Sequence, residues 1–104
     1  MAQVHWTESA LDDVRDITEF VARDSPAYAE RLADRLVKAP RRLAALPRSG
    51  AIVPEFGRDT IREVVVRPYR IIYEIRGEDC FVVAVIQGSR DLSRLLDPGN
   101  LPDI

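Results

Sequence analysis

The stretch IREVVVRPYRIIYEIRGEDCFVVAVIQ, residues 61–87, decides the fold. Within it IREVVV (61–66), YRIIYEI (69–75) and CFVVAVIQ (80–87) are rich in β-branched and aromatic side chains, which suit a pleated surface. Only RP and RGED separate them. A parallel crossover needs roughly a dozen residues or more, so each neighbouring pair is read as an antiparallel hairpin. A two-residue turn at Gly77-Glu78 sets Arg76 opposite Asp79, Glu74 opposite Phe81, Ile72 opposite Val83 and Arg70 opposite Val85. One face then shows Tyr69, Ile71, Tyr73, Ile75, Cys80, Val82, Ala84 and Ile86, apolar throughout and in need of cover. The other carries Arg70, Ile72, Glu74, Arg76, Phe81, Val83, Val85 and Gln87. On it Ile72, Phe81, Val83 and Val85 are expected to form an exposed apolar patch of the kind that marks an interface. The register of the first hairpin stays open, because Val64, Val65 and Val66 give no alternation.

Cover for the apolar face lies upstream. Residues 2–6 read as a short strand, Val4 and Trp6 alternating with Gln3 and His5. Thr7 or Ser9 then caps a helix whose positive first turn suits Glu8, Asp12 and Asp13. Its apolar stripe is Ala10, Leu11, Val14, Ile17 and Val21, with Phe20 alongside. Asp24-Ser25-Pro26 ends this helix and starts another, with Ser25 as cap and Pro26 in the first turn. The second stripe runs Tyr28, Leu32, Leu36, Ala39, Leu43, Leu46. Pro40 interrupts it by removing a hydrogen bond and clashing with the preceding turn, so a kink near residues 36–40 or a break into two helices is expected.

Residues 47–60 contain two prolines and two glycines with no clear period, and read as a long connection. Two compatible roles stand for it: a functional or mobile loop, or a flap that tucks Ile52, Val53 and Phe56 over an open edge of the core. Beyond Gln87-Gly88-Ser89, residues 91–96 read as one helical turn stopped by Asp97-Pro98-Gly99. Residues 97–104 form a tail that stays loose unless something holds it. The whole chain, 1–104, is thus one α+β domain: an N-terminal strand and a helical hairpin packed on a small, mainly antiparallel sheet.

With 104 residues, 46% apolar and 31% charged, the chain has the balance of a single globular domain. No apolar run approaches the roughly 18 residues of a membrane span, and the first twenty residues carry acids where a signal peptide would be basic then apolar. A cytoplasmic protein without a membrane partner is expected. One cysteine, Cys80, excludes an internal disulfide, and one cysteine with one histidine, His5, cannot build a zinc site. The lone histidine also argues against Ser-His-Asp and Cys-His catalysis. No glycine-rich phosphate loop occurs, so neither a metal nor a cofactor is expected.

Net charge is −2, but it is unevenly spread. Residues 1–24 hold two arginines against six acids, whereas residues 25–48 hold six basic residues against two acids. Either the solvated faces of two neighbouring helices attract each other, or an arginine-rich face meets an acidic partner. Lys38 is the only lysine, and guanidinium forks suit carboxylates and phosphates.

The segments IREVVVRPYRIIYEI (61–75) and VVAVIQGSRDL (82–92) resemble the C-terminal signature of the ParE/RelE superfamily of type II toxin–antitoxin toxins. The opening VHWTESALDDVRDITEFVARDSPAYAERL (4–32) and LAALPRSG (43–50) resemble its ParE branch especially, so the likeness covers about residues 3–92. It implies a RelE/ParE-like fold and neutralisation by a cognate, ParD-like antitoxin with an acidic C-terminal segment, in a hetero-oligomer. It implies one of two activities: ParE-like poisoning of DNA gyrase, or RelE-like cleavage of mRNA in the ribosome. Metal-free RNA cleavage needs a group to activate the 2′-hydroxyl, cations for the charged phosphorane and a proton donor. Arg70 and Arg90 match two arginines of RelE-type sites, and Arg62 falls about where a first lysine would stand. The second lysine position falls near Val64, and Leu95 and Leu96 follow Arg90 where a tyrosine is expected. Gln87 takes the place of a histidine common in ParE-like members. This incomplete set favours the gyrase branch and a binding protein over an enzyme. A third, non-toxin reading is a domain that only binds its antitoxin. Arg70, Ile72, Phe81, Val83, Val85, Gln87 and Arg90 are the expected partner contacts. For Arg70 and Arg90 a plain alternative stands, pairing with a neighbouring acid such as Glu74 or Asp91. Tyr69 and Tyr73 read as core aromatics.

Overall fold

The computed structural model describes residues 1–103. Strand β1 (Val4–Trp6) leads into helices α1 (Glu8–Ala22) and α2 (Pro26–Lys38), and a 3-10 helix (Ala39–Ala44) continues α2. Strands β2 (Ala51–Ile52), β3 (Ile61–Val66), β4 (Tyr69–Arg76) and β5 (Asp79–Gln87) follow, then a 3-10 turn (Leu92–Arg94). They form one sheet in the order β1-β5-β4-β3-β2, antiparallel except that β1 runs parallel to β5. The α+β architecture is the one expected.

Local chemistry explains the helix ends. The Thr7 hydroxyl accepts from the Ala10 amide and the Ser25 hydroxyl from the Tyr28 amide, each satisfying a donor that a helix start leaves without a partner. The expected disruption at Pro40 takes the form of a change of helix type at Ala39. Ala10 and Val14 of α1, Leu32 and Leu36 of α2, and Leu43 are buried against Val64, Val66, Ile71, Tyr73, Cys80, Val82 and Val85 of the sheet. Leu11 and Phe20, expected in the first stripe, and Tyr28 and Leu46, expected in the second, stay exposed.

The second hairpin departs from the expected register. Arg76 faces Asp79 and Glu74 faces Phe81 as expected, but Ile72 pairs with Ala84 and Arg70 with Ile86. A β-bulge at Val83 shifts the ladder by one residue. Parity along β5 therefore reverses: Val85 turns to the helices, while Ala84 and Ile86 turn to the outer face.

The outer face is not open. Ile72, Val83, Ala84 and Ile86 are buried there with Val53, Ile61 and Leu92, flanked by half-buried Phe56, Phe81, Leu96 and Leu101. The exposed patch expected of Ile72, Phe81, Val83 and Val85 does not form: the loop before β3 and the C-terminal segment cover Ile72 and Val83 and leave Phe81 half-buried, and Val85 lies under the helices instead. The C-terminal tail is held. Arg76 donates to the Pro102 carbonyl (2.9 Å) and pairs with Asp103 (2.6 Å), and Arg58 donates to the Pro98 carbonyl (3.3 Å). Residues 51–52, expected within a connection, instead form strand β2 at the sheet edge, with Ile52 exposed and Val53 buried.

Candidate functional site

Arg70 sits on β4 opposite Val65, its residue only 8% exposed. Its Nη1 and Nη2 donate to the two carboxylate oxygens of Glu55 (2.7 and 2.8 Å), and its Nε donates to Glu63 (2.6 Å). Such a two-pronged arginine–carboxylate pair is among the stronger and more directional polar contacts. Glu55 also accepts from the Leu92 amide (3.2 Å), so one guanidinium ties the loop before β3, the sheet and the C-terminal turn together. Hydrogen bonding from Arg70, aided by the Leu92 amide and opposed by burial, holds the Glu55 carboxyl down to about 2. The Glu55 contact raises the Arg70 pKa in turn. The expected partners Glu74 and Asp91 are otherwise engaged: Glu74 pairs with Arg76, and Asp91 accepts from Ser93.

Arg62 is equally committed. It donates to the carbonyls of Asp59 (2.9 Å), Arg48 (3.1 Å) and Gly50 (2.9 Å), and pairs with the Asp59 carboxylate (2.6 Å). It stands opposite Tyr73, whose ring belongs to the helix-side core, whereas the adjacent Glu63 reaches Arg70 on the outer side. Consecutive strand residues point to opposite faces, so Arg62 and Arg70 are on opposite sides of the sheet. The structure does not bring these two cations together. Arg90 is exposed and has no side-chain acceptor among the described residues. It shares a groove of about 480 Å³ with Gln87, Tyr69 and residues of α1.

Tyr73 is fully buried, its hydroxyl donating to the Pro47 carbonyl (2.7 Å) and accepting from the Gly50 amide (3.1 Å). Burial raises its pKa, and likewise those of Tyr69 and the Cys80 thiol. Phe81 is stacked on His5 at 4.6 Å, with the Arg76 guanidinium 4.6 Å from its ring centre. Sequence reading missed Glu55 and Glu63 as the acids that hold Arg70, and Asp13, whose carboxylate accepts from the Val85 amide of β5 (2.9 Å). The run Val64–Val66 hid the parity of Glu63, and nothing in a loop fixes which way Glu55 points.

Charge on the helices is distributed in a way that a hairpin alone does not use. No ion pair joins α1 to α2 among the described residues; Arg15 pairs with Asp12 and Lys38 with Asp34, each within its own helix. Arg23 lies over Phe20 and Arg31 over Tyr28, leaving cationic, aromatic-backed surface facing solvent. No helix is long and apolar enough to cross a membrane among the described residues.

Residues 4–92 match the family described as the ParE toxin of the type II toxin–antitoxin system, parDE. Toxin RelE2 of Caulobacter vibrioides is 37% identical over 91 residues, an alignment spanning 86% of this chain and 99% of that protein. The fold is similar to a chain of the solved structure titled "Chromosomal ParDE TA system from P. aeruginosa", with a TM-score of 0.70 at 19% identity, over 84% of this chain and 96% of that one. The family match spans both helices and every strand, so this chain belongs to the ParE toxin family of type II toxin–antitoxin systems.

Proposed function

We propose that this toxin acts by binding DNA gyrase and holding it on DNA, without cleaving RNA. The observation that carries this reading is the disposition of Arg62 and Arg70. Each is saturated by internal acceptors, and they sit on opposite sides of the sheet. Cations that stabilise a phosphorane must converge on one point and be free to do so; of the three expected positions only Arg90 lacks a side-chain acceptor among the described residues. Purified toxin should block supercoiling by purified gyrase and leave mRNA intact in a translation extract. Normal supercoiling at toxin excess would overturn the reading.

One observation favours a second reading: the Caulobacter relative carries a RelE name. A ribosome-dependent endonuclease would use Arg62, Arg70 and Arg90 as charge stabilisers. Codon-specific cleavage lost in Arg70→Ala and Arg90→Ala, with both variants folded, would establish it.

Family membership implies a cognate antitoxin, and an acidic antitoxin segment is the partner we propose. Of the contacts expected from sequence, Phe81, Gln87 and Arg90 remain reachable at the surface. Arg70, Ile72, Val83 and Val85 lie inside and would contribute only by shaping what surrounds them.

A further inference from the structure

Along α2 and the 3-10 helix that continues it, three arginines each stand immediately before a leucine: Arg31 before Leu32, Arg35 before Leu36 and Arg42 before Leu43. All three leucines are fully buried and all three arginines are exposed. The same single step from the core sets each arginine at the same angle around the axis, so the three form one row. Lys38, one heptad after Arg31, falls in it as well. The row survives the change of helix type at Ala39, because residues three apart eclipse in a 3-10 helix and Pro40 and Leu43 are both buried. At the rise of the two helix types it is about 18 Å long.

Its charge is largely uncompensated. The acids of α2 are Glu30 and Asp34, and only Asp34 reaches the row, pairing with Lys38 (3.0 Å). Among the described residues no carboxylate lies within ion-pair distance of Arg31, Arg35 or Arg42. Arg31 lies over the Tyr28 ring, and Nε of Arg42 donates to the Ser49 hydroxyl (3.2 Å), a neutral acceptor. The negative end of the helix dipole accounts for Arg35 and Lys38, which sit in the last turn of α2. It accounts for neither Arg31, a turn earlier, nor Arg42, beyond the helix.

A protein partner is gripped mainly through aromatic and apolar anchors, whereas a nucleic-acid backbone is held by charge alone. The row sets no apolar side chain between its cations, and guanidinium forks match phosphate. We propose that Arg31, Arg35 and Arg42, with Lys38, bind the phosphate backbone of duplex DNA. With phosphates about 3.4 Å apart along the axis of one strand, the row spans about five of them. The choice of DNA rests on the reading that the toxin holds gyrase on DNA, which places a duplex beside it. An acidic antitoxin segment laid over the same cations would exclude that duplex.

The test measures binding of a short fluorescent duplex to the full-length toxin freed from its antitoxin, by anisotropy from about 50 to 200 mM salt. Log affinity should fall against log salt with a slope of about −3. Arg31→Gln/Arg35→Gln/Arg42→Gln should bind at least about tenfold more weakly at the lower salt and flatten the slope to about −1. Arg15→Gln/Arg67→Gln/Arg94→Gln removes the same charge from other exposed positions and should leave affinity within about twofold. Absence of salt-dependent binding by the unaltered chain would overturn the proposal, as would equal losses in the two triple variants or tighter binding to RNA of the same length. So would a row variant that keeps the duplex and loses the antitoxin, since the row would then serve an acidic peptide. No gyrase is present, so failure here leaves the gyrase reading to the supercoiling assay. If the row variant does not fold, Arg35→Gln alone should reduce the slope by about 1.

Discussion

Arg70 concentrates the polar energetics of the outer layer, since its guanidinium holds two carboxylates that would otherwise repel across the sheet. Arg70→Met should lower stability by about 3–5 kcal/mol in urea unfolding, the range found when one partner of a buried pair is lost. Acid should act through the same contact. Folding depresses the Glu55 pKa from 4.5 to about 2, so its contribution is complete above the higher value and disappears as pH falls toward the lower. Stability measured between those limits should therefore fall with pH in the unaltered chain, and Arg70→Met should lose that part of the slope. Gly50 makes a second residue-scale prediction. A Cβ there would lie 2.6 Å from the Glu63 carbonyl and 2.7 Å from the Tyr73 ring and hydroxyl, so Gly50→Ala should cost about 1–3 kcal/mol. Of these contacts, sequence revealed Tyr73 as a core aromatic and left Arg70 divided between structure and partner. Its acids were hidden because Glu55 comes from an aperiodic loop.

The elements follow from rules that act locally, and they depart from expectation where long-range packing decides. Short links forced the two hairpins, and Ser25-Pro26 and Thr7 set the helix starts. The bulge in β5 was invisible because CFVVAVI offers no polar residue to mark which face each position takes. Its consequence was large, moving Val85 inward and Ala84 and Ile86 outward. The C-terminal segment was invisible for another reason: its anchors Leu96 and Leu101 are separated by Asp97-Pro98-Gly99, which reads as an ending. This segment lies beyond the family match, which stops at residue 92. Removing residues 93–104 should uncover Ile72, Val83 and Ile86, lower stability by about 2–3 kcal/mol from the two leucines, and raise binding of a hydrophobic dye.

At the scale of the whole molecule, one sheet is buried on both faces, by a helical hairpin on one side and by irregular chain on the other. That arrangement leaves little sheet surface for a partner and shifts the reachable chemistry to the helices and to the end of the sheet around Gln87 and Arg90. Cationic groups on α2 that pair with no acid of α1 among the described residues offer the proposed acidic antitoxin segment a counterpart, so affinity for that segment should fall as salt rises. The outer arginine cluster serves the fold, and the toxic action we propose lies in a grip on gyrase. Its most direct measurement incubates purified gyrase and plasmid with the toxin, then denatures the enzyme and counts linear DNA. Accumulation of linear plasmid that antitoxin abolishes is the predicted result; intact plasmid at toxin excess, with gyrase supercoiling at its normal rate, would contradict it.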